Sequence, residues 1–217
     1  MSSAIVVNGS RVLAPHEVYA LRSVISKPSL LVLFNLLLYT GMRLTEVKQL
    51  IMNPKLFDEE RKSILIKSTK KEAKQKTRNI ILNQKGIEAV KQFLKNPYYP
   101  SSPFVWQKNL IRWCRNSHLD EVEDPEHATN PYMITVRTTR KTWESWLVAV
   151  HEDKFIRIVS SQGHKETTAI SHYIGLNFKD DEYRDIINEV SDWGVRNGSQ
   201  SISLVKPITS TQGYEAE

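Results

Sequence analysis

Four stretches of the chain carry side chains suited to chemistry on an anion. In "TGMRLTEV" (40–47), Gly41 ends an apolar run and Arg43 follows at the start of the next helix, with Glu46 three residues on. This sets a guanidinium at a rigid junction beside a carboxylate. Between 61 and 78 there are eight Lys or Arg (Arg61, Lys62, Lys67, Lys70, Lys71, Lys74, Lys76, Arg78) against a single acid, Glu72. Such a run repels itself unless a polyanion lies nearby. In "VRTTRKTWESWL" (136–147), Arg137 and Arg140 fall at a helix start. Cations there oppose the helix dipole, and a bound phosphate reverses the sign of that effect. In "SSQGHKETTAISHYIG" (160–175), His164 precedes Tyr173 by nine residues. Each stretch also has an ordinary reading as a solvated charge or a packing aromatic; together they describe a phosphate site with a nucleophile.

The elements that must position these residues are mostly helical. Pro15 opens a helix through "HEVYALRSVIS", and a second runs through "SLLVLFNLLLYT" to Gly41. "SILI" and "RNIIL" are β-branched runs flanking "KSTKKEAKQKT", a hairpin with a long basic tip. "QKGIEAVKQFLKN", "NLIRWCRNSHL", "TTRKTWESWLVAV", "EDKFIRIVSSQG" and "DDEYRDIINEVSDWG" read as amphipathic helices, with Trp143, Trp146, Leu147 and Val150 on one face. "NPYYPSSP" reads as a stop and "LDEVEDPEHATNP" as a surface loop. The expected class is α+β, mainly helical, with a small antiparallel β-sheet. Expected boundaries are a flexible N-terminal segment (1–14), one domain (15–195) and a flexible tail (196–217).

Composition narrows the function. The 217 residues are 40% hydrophobic and 25% charged, with a formal charge of +6 and a sequence pI near 9.3. An acidic partner suits that balance. Cys114 is the single cysteine, which excludes an intrachain disulfide and a multi-cysteine metal site and points to an intracellular protein. The most apolar run, "LLVLFNLLLY" (30–39), is far shorter than the ~20 residues a membrane span needs, so no membrane association is expected. No zinc spacing, GxSxG elbow or phosphate loop is present, and neither metal nor cofactor is expected.

The order of these pieces resembles the tyrosine recombinase, or phage-type integrase, family. Its signatures TGxR-xxE, hairpin lysine, HxxR, LGH and terminal Tyr are similar to "TGMRLTEV", Lys70/Lys71, "RTTR", "QGH" and "SHYIG", over about residues 28–178. The variant with arginine in the third motif is similar to integrases of archaea and their viruses. The resemblance implies the DNA breaking–rejoining catalytic fold and double-stranded DNA as partner, with a homo-oligomer (tetramer) on DNA. It implies Tyr173 as nucleophile, Arg43 and Arg140 as the phosphate clamp, and Glu46 orienting Arg43. Lys70 becomes the general acid, with Lys71 the near alternative and Lys74 a third. Lys67, Lys74, Lys76, Arg78 and Lys141 become DNA contacts.

Arg137 stands where the family has histidine and can only bind phosphate, which leaves His164 to handle the tyrosine's proton. Full-length members carry an N-terminal domain that closes around DNA, and only about 27 residues precede the core helix here. Two other readings accompany this one: a type IB topoisomerase-like relaxing activity, and a DNA-binding module of the same fold that no longer cleaves.

Overall fold

The computed structural model describes residues 4–67, 77–122, 130–163 and 176–195. In chain order the elements are β1 (Ile5–Val7), β2 (Ser10–Val12), α1 (Pro15–Val24), α2 (Pro28–Thr40) and α3 (Leu44–Met52). There follow β3 (Phe57–Asp58), β4 (Ser63–Lys67), β5 (Thr77–Ile81), α4 (Gln84–Lys95) and α5 (Pro103–Asn116). The chain continues through α6 (Thr138–Val150), α7 (Phe155–Gln162) and a last described helix, here α8 (Asp180–Val190). Mainly helical with small antiparallel sheets, the fold is of the class expected.

Helix α2 is the hub. Leu33, Phe34, Leu36, Leu37 and Leu38 are all buried, so it is enclosed on every side, by α4 and α6 among others. Each such side chain contributes roughly 1.5–3 kcal/mol on burial. Its apolar run therefore belongs to a core, and among the described residues no single helix is long and apolar enough to cross a membrane. Lys27-Pro28 starts α2 because proline at the first helical position lacks only an N–H that would be unpaired anyway. Gly41 ends it at φ +61°, the left-handed region that glycine enters without a Cβ penalty. The chain then turns through 104° into α3, which places Arg43 at the corner.

The second sheet has the order β3-β4-β5, with Ser63 opposite Ile81 and Lys67 opposite Thr77. Ile64, Ile66, Arg78 and Ile80 share its buried face. The hairpin therefore forms where expected, and its tip (68–76) lies outside the described residues. β3 is a two-residue addition that the sequence reading did not include.

Two further expectations are corrected. Residues 5–12 are not a flexible segment: they form a hairpin docked on α6. Its two-residue turn, Asn8-Gly9, has positive φ at both positions, as the strand twist of such a tight turn requires. Arg11 N–H donates to Met133 O and Leu13 N–H to Thr142 Oγ1, which ties the segment to the core. Secondly, "NPYYPSSP" does not only stop α4 but also starts α5. Ser102 caps that helix by accepting from Val105 N–H, and Pro103 takes the first position. Tail residues 196–217 lie outside the described residues.

Candidate active site

Five elements bring one cluster together. Arg43 caps α3 with extended backbone, and its N–H donates to Glu46 Oε2 at 2.7 Å. Its guanidinium donates to Glu46 Oε1 at 2.7 Å and keeps its side chain 46% exposed. From β5, Arg78 donates to the same Oε2 at 2.7 Å and, through its other terminal nitrogen, to Ser161 O near the end of α7. From α6, Arg140 donates to Gly41 O at 2.7 Å and to Gln162 O. Thus the end of α2, the start of α3, strand β5, the first turn of α6 and the end of α7 meet at one place.

The electrostatics favour an anion. Burial alone would raise Glu46, but Arg78, Arg140 and Arg43 outweigh it and hold the carboxyl below its ordinary range. Burial pushes Arg140 down to about 10; Glu144 opposes this, while Arg78 and Arg43 add to it. Arg78 is likewise lowered by burial, with Glu46 acting the other way. Among the described residues Arg43, Arg78 and Arg140 gather around Glu46, with Glu144 acting on Arg78 and Arg140 as well, so the cluster is rich in guanidinium. The negative charge of a phosphodiester suits such a cluster.

Shape adds to the argument. Arg140 is only 5% exposed, so it is fixed by its carbonyl partners, whereas Arg43 reaches solvent. Gln162 is fully buried beside Gly41, and among the described residues neither its amide nitrogen nor its amide oxygen has a partner. A Cβ on Gly41 would meet Gln162 Oε1 at 2.5 Å, so the Gln162 amide would have to shift, while φ +61° itself favours glycine here.

The sequence-predicted residues divide clearly. Arg43, Glu46 and Arg140 lie in one cluster. Arg137 is exposed at the start of α6, and among the described residues it has no ion-pair partner. Lys67 is exposed at the end of β4, where its backbone exchanges two hydrogen bonds with the Gln49 side chain at 2.9 and 3.0 Å.

Two expected DNA contacts are otherwise engaged. Arg78 is buried at 7% exposure in the ion pair with Glu46, and Lys141 donates to the carbonyls of Val7 and Asn8 in the first hairpin. Tyr173, His164, Lys70, Lys71, Lys74 and Lys76 lie outside the described residues. Arg78 and Gln162 are the site residues that sequence reasoning misplaced or passed over. Arg78 had a readable signal, since it shares parity with Ile80 in an alternating strand.

No protein-family model and no curated protein sequence matches the chain. Solved structures do. The Tn1549 transposon integrase in complex with transposon right end DNA is 19% identical at a TM-score of 0.56, over 82% of this chain and 65% of that one. XerA recombinase is 17% identical at 0.58, over 87% and 66%. XerH site-specific recombinase, bound to its palindromic difH substrate after cleavage, is 17% identical at 0.52, over 82% and 52%. The chain therefore spans about two-thirds of the first two and about half of the third. At these identities the likeness shows the fold, which is that of tyrosine recombinase catalytic domains.

Proposed function

We propose that this chain is the catalytic domain of a site-specific DNA recombinase or integrase, acting by tyrosine attack on a phosphodiester. The observation that carries this reading is the Arg43–Glu46–Arg140 cluster. It is a positively charged corner with one half-exposed and one fixed guanidinium, on a fold shared with integrases and recombinases.

The chemistry balances without a cofactor. The Oη of Tyr173 attacks phosphorus and its proton passes to His164. The phosphorus–O5′ bond breaks, and O5′ takes a proton from a hairpin lysine, Lys70 in the first instance. Arg43 and Arg140 stabilise the negative charge on the non-bridging oxygens, where a guanidinium fork serves better than an ammonium. The 3′-phosphotyrosyl ester keeps the bond energy, so the reverse attack by a 5′-hydroxyl rejoins a strand without metal or nucleotide. Arg137 stays protonated at neutral pH and acts as an exposed phosphate contact. Double-stranded DNA is the partner, and a tetramer on DNA is the working form, inside the cell.

One observation favours a second reading, a module that binds DNA without cutting it: Arg137 occupies the position where a proton-transferring histidine is expected. A nicked suicide DNA duplex incubated with the protein in EDTA separates the two. A covalent protein–DNA adduct that disappears in Tyr173→Phe supports the recombinase. Retention of the adduct in Tyr173→Phe removes the nucleophile assignment, and no adduct from either protein favours the binding module.

A further inference from the structure

Arg78 occupies an uncomfortable place for an arginine. It sits on the inward face of β5, opposite Ile66 and in the row of Ile64 and Ile80. A guanidinium there loses its water and must be held by partners. Those partners are Glu46 Oε2 and Ser161 O, while among the described residues its Nε has none. Its stem lies against Gly163: a Cβ there would meet Arg78 Cδ at 2.6 Å, and φ is +68°. Residue 163 therefore combines a left-handed backbone with room for one side chain, that of Arg78.

The connections of these partners matter more than the burial. Glu46 spends its other oxygen on Arg43, the half-exposed member of the clamp. Helix α3 holds both stems of the hairpin, Gln49 pairing with the Lys67 backbone and Glu46 with Arg78. The tip carrying Lys70, Lys71, Lys74 and Lys76 joins those stems. Ser161 and Gly163 end α7 immediately before His164.

We infer that Arg78 is a positioning residue for strand transfer: one buried guanidinium registers Arg43, the lysine-bearing hairpin and the end of α7 against each other, without touching DNA. This rests on the recombinase reading above. Arg78 acts through Glu46 on Arg43, and through its own strand and Ser161 on the pieces either side.

The test is adduct formation by full-length wild type, Arg78→Met and Arg78→Lys on the nicked duplex, each across pH and alongside DNA binding across salt. Misplacing a clamp residue by about 1 Å costs on the order of 100-fold, so Arg78→Met should lose about that in rate. Its DNA affinity and salt slope should stay within about 2-fold, because no phosphate contact is removed.

A merely structural role would not alter the pH profile. The charged groups facing Glu46 are Arg43 on its own helix, Arg78 from β5, and Arg140 with Glu144 from α6. Without Arg78, burial raises the Glu46 carboxyl. On the acid side the rate of Arg78→Met should then fall more steeply than that of the wild type, over and above the loss that protonation of His164 causes in both. Arg78→Lys keeps a cation beside Glu46 but not the bridge to Ser161. It should lose about 10-fold in rate while keeping the wild-type pH profile, and it stands in if Arg78→Met does not fold.

Wild-type rates in both variants would overturn the inference, as would a reduced salt slope in either, which would make Arg78 a direct DNA contact. Absence of adduct from the wild type would overturn the recombinase reading and this inference with it.

Discussion

Two buried carboxylates in this molecule are held almost alike, yet their surroundings differ in kind. Glu46 accepts from Arg43 N–H, Arg43 guanidinium and Arg78, each at 2.7 Å. Glu189 on α8 accepts from Tyr19 Oη at 2.7 Å and from Tyr39 Oη and Lys85 Nζ at 2.8 Å. Around Glu189 the donors are two phenols and one ammonium, with Arg22 closing the network on Tyr39 at 2.6 Å. The Tyr19 phenol is pushed up to about 12, first by its hydrogen bond to Glu189 and then by burial, so it stays neutral.

Around Glu46 the side-chain donors are guanidiniums. One of them reaches solvent, and among the described residues Arg78 Nε and the Gln162 amide have no partner. The Glu189 network fastens α8 to α1, α2 and α4. The Glu46 cluster gathers guanidiniums instead, the group that pairs best with a phosphate. Glu46 takes two ion pairs and Glu189 one, and the kind of donor distinguishes them: guanidiniums at the first, two phenols and an ammonium at the second.

The sharpest way to break this contrast is to change one member of each. Arg43→Ala should cut the adduct rate on a nicked duplex by about 10²–10³-fold, the range for losing one preorganised donor to a developing oxyanion. Since that guanidinium is half exposed, chemical denaturation should show a stability loss under about 1 kcal/mol. Glu189→Gln should do the reverse, losing about 1–3 kcal/mol of stability with an unchanged rate per folded molecule. If Glu189→Gln lost rate and Arg43→Ala did not, the roles of the two clusters would be inverted.

A smaller effect concerns acid. Both carboxyls are held below their ordinary value, Glu46 by Arg78, Arg140 and Arg43 against burial, and Glu189 by Lys85 and the two phenols against burial. A depressed folded-state pKa contributes stability that is present above the unfolded value of about 4.3 and lost as pH falls through the folded value. The unfolding midpoint should therefore drop below about pH 4.3, and Glu46→Gln and Glu189→Gln should each flatten part of that slope. A slope unchanged in both variants would show that neither carboxyl is held as described.

How far the sequence could be read follows from the same chemistry. The junction at Gly41-Met42-Arg43 was readable because a left-handed glycine and a capping box are local. So was the β4–β5 hairpin, from its β-branched runs. The first hairpin was missed although "VVNGSRV" carries the Asn-Gly signal, because residues 1–14 read as a loose leader. Arg78 was misread because charge suggested the surface while strand parity, shared with Ile80, put it inside. The Glu189 network was out of reach, since Tyr19 and Glu189 are 170 residues apart and only the packed core joins them. Of the candidate site, Arg43, Glu46 and Arg140 emerged from motifs; the carbonyls of Gly41, Ser161 and Gln162 that fix the arginines are backbone atoms with no sequence signature.

The central claim, covalent catalysis by Tyr173 at the Arg43–Arg140 clamp, is tested most directly by trapping the adduct on a nicked duplex, digesting it and locating the nucleotide by mass spectrometry. The expected result is a 3′-phosphonucleotide on the peptide containing Tyr173. Attachment to any other residue, or its persistence in Tyr173→Phe, would contradict the account.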